Sequence, residues 1–131
     1  MSIVLDVLGF PPSRNEDLSI FSERHPHLPR VIRLLEAAKE ATNVLGFEPM
    51  DGAIELEVTV YSPPYQPPWD AIKYLGGIAA TLGDKENRGP LPHLGELREV
   101  AIYWSERQIE RIRYRFVEAK RKHYRVKISQ L

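Results

Sequence analysis

The sequence predicts an α/β (α+β) fold, a single-domain mixed sheet with two main helices, spanning residues 1–131. Two stretches alternate apolar and polar residues with a period of two, one repeats apolar residues every three or four positions, and one has the small and apolar character of a buried helix. The chain has 131 residues, 43% of them hydrophobic. This length suits one hydrophobic core and is too short for two comfortable domains.

The first half of the chain predicts a strand, a helix and a second strand. Residues 2–8 form a short apolar run that ends before Pro11 and Pro12, which cannot donate to a β-ladder. Apolar residues from Val31 to Val44 are spaced by three and four, and Gly46 provides a stop signal, so a helix is expected there. Residues 54–61 alternate apolar and polar side chains, which predicts a strand with one buried face.

The second half predicts a helix, a loop and two strands. Prolines between Ser62 and Pro68 lead out of the sheet, and Ala71–Leu82 follows as a helix that Asp70 caps and Gly83 ends. The Gly76-Gly77 pair lowers helix propensity, so we expect close packing of this helix against a sheet or a partner helix. Residues 83–99 are polar and rich in glycine and proline, which predicts a surface loop.

A basic strand follows, with a second short strand at residues 123–128. Arg111, Arg113 and Arg115 alternate with apolar residues, so guanidinium groups are expected on one face. Residues 118–122 read as the charged tip of a hairpin. The balanced charge of the chain conceals a strong asymmetry, because half of its 18 lysines and arginines lie here, at Arg107, Arg111, Arg113, Arg115, Lys120, Arg121, Lys122, Arg125 and Lys127.

This concentration of positive charge predicts binding to a polyanion, because contacts with phosphates release condensed counterions. The first eight of these cations, Arg107 to Arg125, are therefore the candidate DNA-binding residues. The alternative is an outer strand whose charges only protect a sheet edge. Composition excludes disulfides, a thiolate nucleophile and a cysteine zinc site, because no cysteine is present. No apolar run is long enough for a bilayer, and no secretion signal is visible, so a cytoplasmic protein is expected.

Carboxylates are the candidate catalytic groups. Asp70 lies at the start of a helix and Glu106 just before the basic strand, and their oxygens could bind Mg²⁺ together with a substrate phosphate. The alternatives are a helix cap for Asp70 and a surface acid for Glu106. His25 and His27 are spaced two apart and are weak candidates for a metal pair. Aromatic residues that could stack on unpaired bases, or else belong to a core or interface, are Tyr65, Trp69 and Trp104.

Several strings of the chain, in this order of elements, resemble the RusA family of Holliday junction resolvases. The most specific is Gly9-Phe10-Pro11-Pro12-Ser13-Arg14-Asn15 after the first strand. Trp69-Asp70-Ala71-Ile72 falls where the family has an aspartate-rich helix start, and Ser105-Glu106-Arg107-Gln108-Ile109 falls where it has paired aspartates, a glutamine and an aliphatic residue. The resemblance implies a homodimer that cuts branched DNA with aspartates and Mg²⁺.

When the acidic positions of the family's motifs are matched to this sequence one by one, some of them carry other residues. Asp70 matches the second aspartate of an Asp-x-Asp-Asn motif, while Pro68 and Ala71 replace the first aspartate and the asparagine. Glu106 matches the second of the paired aspartates, and Ser105 stands at the first. The family's helix lysine would fall at Tyr74. Lys73 lies one position early, which is about a hundred degrees around a helix.

Three functions follow as hypotheses. The leading one is a homodimeric RusA-like protein that binds branched or duplex DNA, with Asp70 and Glu106 as Mg²⁺ ligands and Lys73 as the third catalytic residue. The second is a catalytically inactive DNA-binding protein of the same fold. The third is a protein-interaction module that presents residues 63–68 and 83–99 to a partner. Glu55 or Glu57 could replace a missing ligand, or be solvated strand acids.

Overall fold

The computed structural model describes residues 1–14, 17–64 and 70–131. Its main elements, in chain order, are β1 (Ser2–Leu8), α1 (Leu28–Ala41), β2 (Ile54–Ser62), α2 (Ala71–Leu82), β3 (Ile109–Glu118) and β4 (His123–Gln130). This order confirms the predicted succession and the single-domain α+β fold with a mixed sheet. Among the described residues, no helix is long and apolar enough to cross a membrane.

The four strands form one sheet in the order β1-β4-β2-β3. Strand β4 is antiparallel to both β1 and β2, whereas β3 runs parallel to β2 and lies at the edge. The predicted hairpin between β3 and β4 is therefore wrong, because β2 separates the two strands. Residues 119–122 instead cross over the end of β2, where the Ala119 N–H donates to the Ser62 carbonyl at 3.0 Å. We call these four residues the crossover.

Helix α1 covers one face of the sheet and packs against β1 and α2. Its buried residues are Val31, Leu34, Leu35 and Ala38, the spacing that the sequence predicts. The covered face contributes alternate residues of β1, β4 and β2 to the core, among them Leu5, Val126 and Val58. The opposite face, which we call the open face, carries the intervening residues of each strand.

Helix α2 packs against the loop that follows β1, and Gly77 makes this approach possible. A Cβ atom at Gly77 would lie 2.0 Å from the Pro12 carbonyl oxygen. The Arg14 N–H also donates to the Lys73 carbonyl at 3.1 Å, in the first turn of α2. Close packing at the glycine pair is thus confirmed for Gly77, but its partner is a proline-rich loop rather than a sheet or a helix.

Residues 83–99 are more ordered and more buried than the predicted surface loop. They include two 3₁₀ segments, Glu86–Arg88 and Pro92–Glu99. Leu94 is 4% exposed and Lys85 only 1% exposed. The Lys85 ammonium donates to the carbonyls of Gly83 and Val100 and lies 5.2 Å from the centre of the Phe21 ring. A lysine that the polar composition places at the surface therefore anchors this segment to the core.

Candidate functional site

Asp70 precedes α2 without capping it through its side chain. Its main-chain carbonyl accepts the N–H of Tyr74 at 3.1 Å, whereas its carboxylate makes no capping hydrogen bond. The carboxylate instead lies 3.6 Å from the Lys73 ammonium, one turn along the helix. Both side chains are more than half exposed. The structure thus brings together two of the predicted catalytic residues. The Asp70 side chain does not cap α2, so the capping alternative is wrong.

Glu106 is held in a short 3₁₀ turn, Glu106–Gln108, in front of β3. Ser105 begins this turn, and its hydroxyl accepts the N–H of Arg107 at 3.2 Å. The side-chain oxygen of Gln108 accepts the N–H groups of Trp104 and Ser105 at 2.9 and 2.8 Å. This reciprocal capping fixes the backbone around Glu106 without using its carboxylate, which is partly exposed.

Arg14 connects the two acidic positions. Its guanidinium donates to the Glu106 carboxylate at 2.7 Å, while its main chain is bonded to Lys73. The Nε atom of Arg14 also lies 3.2 Å from the position that a Cβ of Gly76 would occupy. One residue of the first loop therefore joins α2 to the turn before β3. Asp70, Lys73 and Glu106, which are far apart in sequence, consequently lie around a common region.

A cleft of about 370 Å³ opens beside this region. The described residues that line it come from the loop after β1, the turn before α1 and the first turn of α2: Ser13, Arg14, Asp17, His25, Pro26, His27 and Lys73. The cleft combines the cationic side chains of Arg14 and Lys73 with one carboxylate and two imidazoles. Since Arg14 is paired with Glu106 and Lys73 with Asp70, this composition suits a polar ligand better than an apolar one.

The surroundings of the two histidines of the cleft favour their neutral form. His25 Nδ1 accepts the N–H of His27 and His27 Nδ1 accepts the N–H of Ser13, each at 3.0 Å. Burial lowers the pKa of His25, partly opposed by the Ser13 backbone. Burial, and then the charges of Arg30 and His25, lower the pKa of His27. Since Nδ1 is an acceptor in both rings, the proton of the neutral form is on Nε2, which disfavours metal binding there.

The donor set fits Mg²⁺ only in part. Carboxylate oxygens are its preferred ligands, but Lys73 accompanies Asp70 and Arg14 accompanies Glu106. Among the described residues, no group of three or more His, Asp or Glu side chains is arranged to hold a metal. Glu55 does not restore a ligand, because it lies on the open face, 3.6 Å from Arg111 and 3.7 Å from Arg113. A metal would have to displace both cations from the acids.

The open face carries the predicted basic strand, in four rows that cross the sheet. The register aligns, from β1 through β4 and β2 to β3, the rows Ser2-Ser129-Glu55-Arg111, Val4-Lys127-Glu57-Arg113, Asp6-Arg125-Thr59-Arg115 and Leu8-His123-Tyr61-Val117. The alternation predicted for β3 thus places its three arginines on one face. Arg125 and Lys127 of β4 extend the same surface.

Acids partly neutralise this surface. Five cations on the open face meet three carboxylates, those of Glu55, Glu57 and Asp6. Arg125 donates to Asp6 at 2.8 Å, and Glu55 lies between Arg111 and Arg113. Within the described residues, Arg115 and Lys127 form no ion pair. The surface is therefore moderately rather than strongly positive, and these two cations lie in the third and second of the four rows.

The remaining predicted DNA-binding residues lie at the two ends of β3. Lys120, Arg121 and Lys122 are exposed on the crossover, beside the last row of the open face, and Arg107 is exposed in the turn before β3. Lys122 lies 5.1 Å from the centre of the Phe10 ring. The cations that the sequence groups in one segment are thus distributed over one face and one end of the sheet, with Arg107 apart from the others.

The sequence patterns did not predict the roles of some site residues, and other predicted residues lie outside the described part of the chain. The role of Arg14 depends on a contact across 92 positions, so only the proline-rich string around it marks its place in the chain. His25 and His27 were visible as a pair, but their tautomers depend on two backbone donors. Tyr65, Pro68 and Trp69 fall outside the described residues, and Trp104 is 49% exposed.

Comparisons with known proteins leave the family of this chain open. No protein-family model and no curated protein gives a match to the sequence.

Proposed function

We propose that this protein binds DNA, branched or duplex, through its open sheet face and the neighbouring crossover. The observation that carries the proposal is the register of β3, β2 and β4, which places Arg111, Arg113, Arg115, Arg125 and Lys127 on one exposed face. Lys120, Arg121 and Lys122 extend this face at one end. Cations in this arrangement can contact successive phosphates of a backbone.

The resemblance to RusA-like resolvases supports the same proposal from the sequence. It adds the expectation of a homodimer, for which β3 offers a surface. Among the described strands, none pairs with the outer edge of β3, and Ile112 and Phe116 on its other face are 53% and 38% exposed. Pairing with a second copy would cover this edge and these side chains. A cytoplasmic location stays a prediction from the sequence.

A salt titration of DNA binding tests the proposal. A labelled four-way junction and a duplex of equal length are bound at increasing salt in the presence of a chelator. The double variant Arg113→Gln/Arg115→Gln should reduce the slope of log affinity against log salt by about two, because each lost phosphate contact removes about one counterion. The control Arg24→Gln/Lys39→Gln changes the net charge equally and should leave the slope unchanged, because Lys39 lies on α1, which covers the opposite face of the sheet.

The DNA-binding proposal fails if the wild type does not bind either DNA at low salt, or if both double variants have the same effect. Sedimentation equilibrium tests the dimer separately. Ile112→Lys should dissociate it, whereas Leu45→Lys, which changes a fully exposed leucine elsewhere, should not. A monomeric wild type would exclude the homodimer without excluding DNA binding.

Mg²⁺-dependent cleavage of branched DNA is the second candidate function. The bridge that Arg14 makes between the α2 start and Glu106 favours it, because this contact brings the elements carrying both acids together. Mg²⁺ would supply charge neutralisation and an activated water when bound. Asp70→Asn and Glu106→Gln should each abolish cleavage of a four-way junction while leaving junction binding in chelator unchanged. Binding without cleavage by the wild type, in Mg²⁺ or Mn²⁺, would instead favour an inactive DNA-binding protein.

A further inference from the structure

We propose that the last row of the open face stacks on unpaired bases, so that single-stranded segments of DNA are its preferred ligand. This inference rests on the proposed DNA binding and adds the feature of the DNA that the sheet recognises. Four residues, one from each strand, form the row: Leu8, His123, Tyr61 and Val117. We call it the aromatic row.

Two rings already form a stack at the centre of the aromatic row. The centroids of the Tyr61 and His123 rings are 4.2 Å apart, and the ring planes differ by only 4°. Both residues remain partly exposed. The His123 Nδ1 lies 3.1 Å from the Arg121 carbonyl, to which it can only donate, so this contact fixes both the tautomer and the ring. A fixed, solvent-accessible stack is suited to extension by another planar ring.

Apolar side chains flank the stack at both ends. The row places Leu8 beside His123 and Val117 beside Tyr61, and Leu8 is 72% exposed. A base added to either end of the ring stack would therefore lie next to an apolar side chain as well as a ring face. Inside a duplex the faces of each base are covered by its neighbours, so away from the duplex ends this contact requires an unpaired, unstacked base.

Cations border the aromatic row on both sides. The preceding row contributes Arg115 and Arg125, of which Arg125 is paired with Asp6. The crossover contributes Lys120, Arg121 and Lys122 on the other side, and its Lys122 carbonyl accepts the Gly9 N–H at 2.9 Å, next to Leu8. Phosphates on either side of a stacked base would thus meet positive charge. Aromatic rings between basic groups are the arrangement by which proteins hold single strands without reading sequence.

The test compares single-stranded and duplex DNA of equal length in chelator. The wild type, Tyr61→Leu and the matched control Tyr61→Phe are titrated against each labelled DNA. We expect Tyr61→Leu to weaken single-strand binding about tenfold and to leave duplex binding unchanged, since one stacking contact is lost. Tyr61→Phe keeps the ring and should stay within about twofold of the wild type. Quenching of a 2-aminopurine base by the wild type, absent in Tyr61→Leu, would report the stack directly.

Two controls separate the possible failures. Circular dichroism and thermal unfolding check that Tyr61→Leu folds, and His123→Ala provides a second variant if it does not. A wild type that binds neither DNA overturns the proposed DNA binding itself. The other failure concerns base stacking alone. If the wild type binds duplex DNA, and folded Tyr61→Leu has the same single-strand affinity and the same 2-aminopurine fluorescence as the wild type, base stacking on the aromatic row is excluded.

Discussion

The Arg14 guanidinium donates a 2.7 Å hydrogen bond to the Glu106 carboxylate, across 92 positions of the chain. The two side chains are 46% and 40% exposed, so the pair contributes little to stability. Its main effect is electrostatic, because it neutralises an acid that would otherwise be available to a cation. The same holds for Lys73 beside Asp70, at 3.6 Å. Arg14 and a divalent metal should therefore compete for Glu106.

Removing the Arg14 charge should strengthen Mn²⁺ binding. Two opposite unit charges about 4 Å apart attract each other by about 1 kcal/mol in water. A metal ion does not have to overcome this attraction between Arg14 and Glu106 in the variant Arg14→Gln, so its Mn²⁺ affinity should be about fivefold higher. Electron paramagnetic resonance of free Mn²⁺ measures this affinity. Arg24→Gln, which removes an exposed arginine from outside the cleft, is the control. If Glu106→Gln binds Mn²⁺ as well as the wild type does, Glu106 is not a metal ligand.

Gly77→Ala should destabilise the protein. The new Cβ atom would lie 2.0 Å from the Pro12 carbonyl oxygen, an overlap that requires backbone movement in α2 or in the loop after β1. We expect the free energy of unfolding in urea to fall by about 1–3 kcal/mol.

The neighbouring glycine provides the control for this experiment. A Cβ at Gly76 would lie 3.2 Å from the Arg14 Nε and 3.4 Å from the Arg14 Cβ and Cδ, contacts that a shift of a few tenths of an ångström in the Arg14 side chain relieves. Gly76→Ala should therefore be neutral or stabilising by up to about 1 kcal/mol, from improved helix propensity. Equal effects of the two substitutions would contradict the packing of α2 against the loop.

Local patterns predict the elements of this fold better than their connections. The period of two in β3 places Arg111, Arg113 and Arg115 on one face, as expected, because side chains in any strand alternate. The same pattern does not encode which strand lies alongside, so the position of β2 between β3 and β4 was not visible. Likewise, Lys85 lies in a polar segment, and its burial depends on two carbonyls and the Phe21 ring from elsewhere in the chain. The features that the sequence patterns did not predict all depend on contacts between residues that are distant in sequence.

Gln108 should be important for stability although it lies in a surface turn. Its amide nitrogen donates to the carbonyls of Met50 and Gly52 at 2.8 and 2.9 Å, in addition to the two N–H groups that its oxygen accepts. Gln108→Ala removes four hydrogen bonds and should lower the free energy of unfolding by about 2–4 kcal/mol. Arg107→Ala, at the exposed neighbouring position, should change it by less than about 0.5 kcal/mol. Chemical denaturation that finds both variants equally stable would contradict this role.

Stability should also depend on pH through Lys85. Burial above all lowers the pKa of this ammonium from 10.5 to about 8; Asp84 and Glu99 oppose the lowering, and the charge of Arg88 adds to it. Between these two values the unfolded chain binds more protons than the folded protein does. The free energy of unfolding should therefore rise with pH from about 8. The rise ends near pH 10, because burial raises the pKa of Tyr103 and Tyr124, and unfolding then releases protons.

Urea unfolding between pH 7.5 and 9.5 measures this effect. We expect the wild type to gain on the order of 1–2 kcal/mol over this range, from the difference between the two lysine pKa values. Lys85→Met keeps most of the side-chain volume and cannot titrate, so its free energy of unfolding should not share this rise. Loss of the ammonium also leaves the carbonyls of Gly83 and Val100 without this donor, which lowers stability at every pH. The slope with pH, rather than the absolute stability, therefore isolates the buried charge, and equal slopes in the two proteins would show that Lys85 stays protonated throughout.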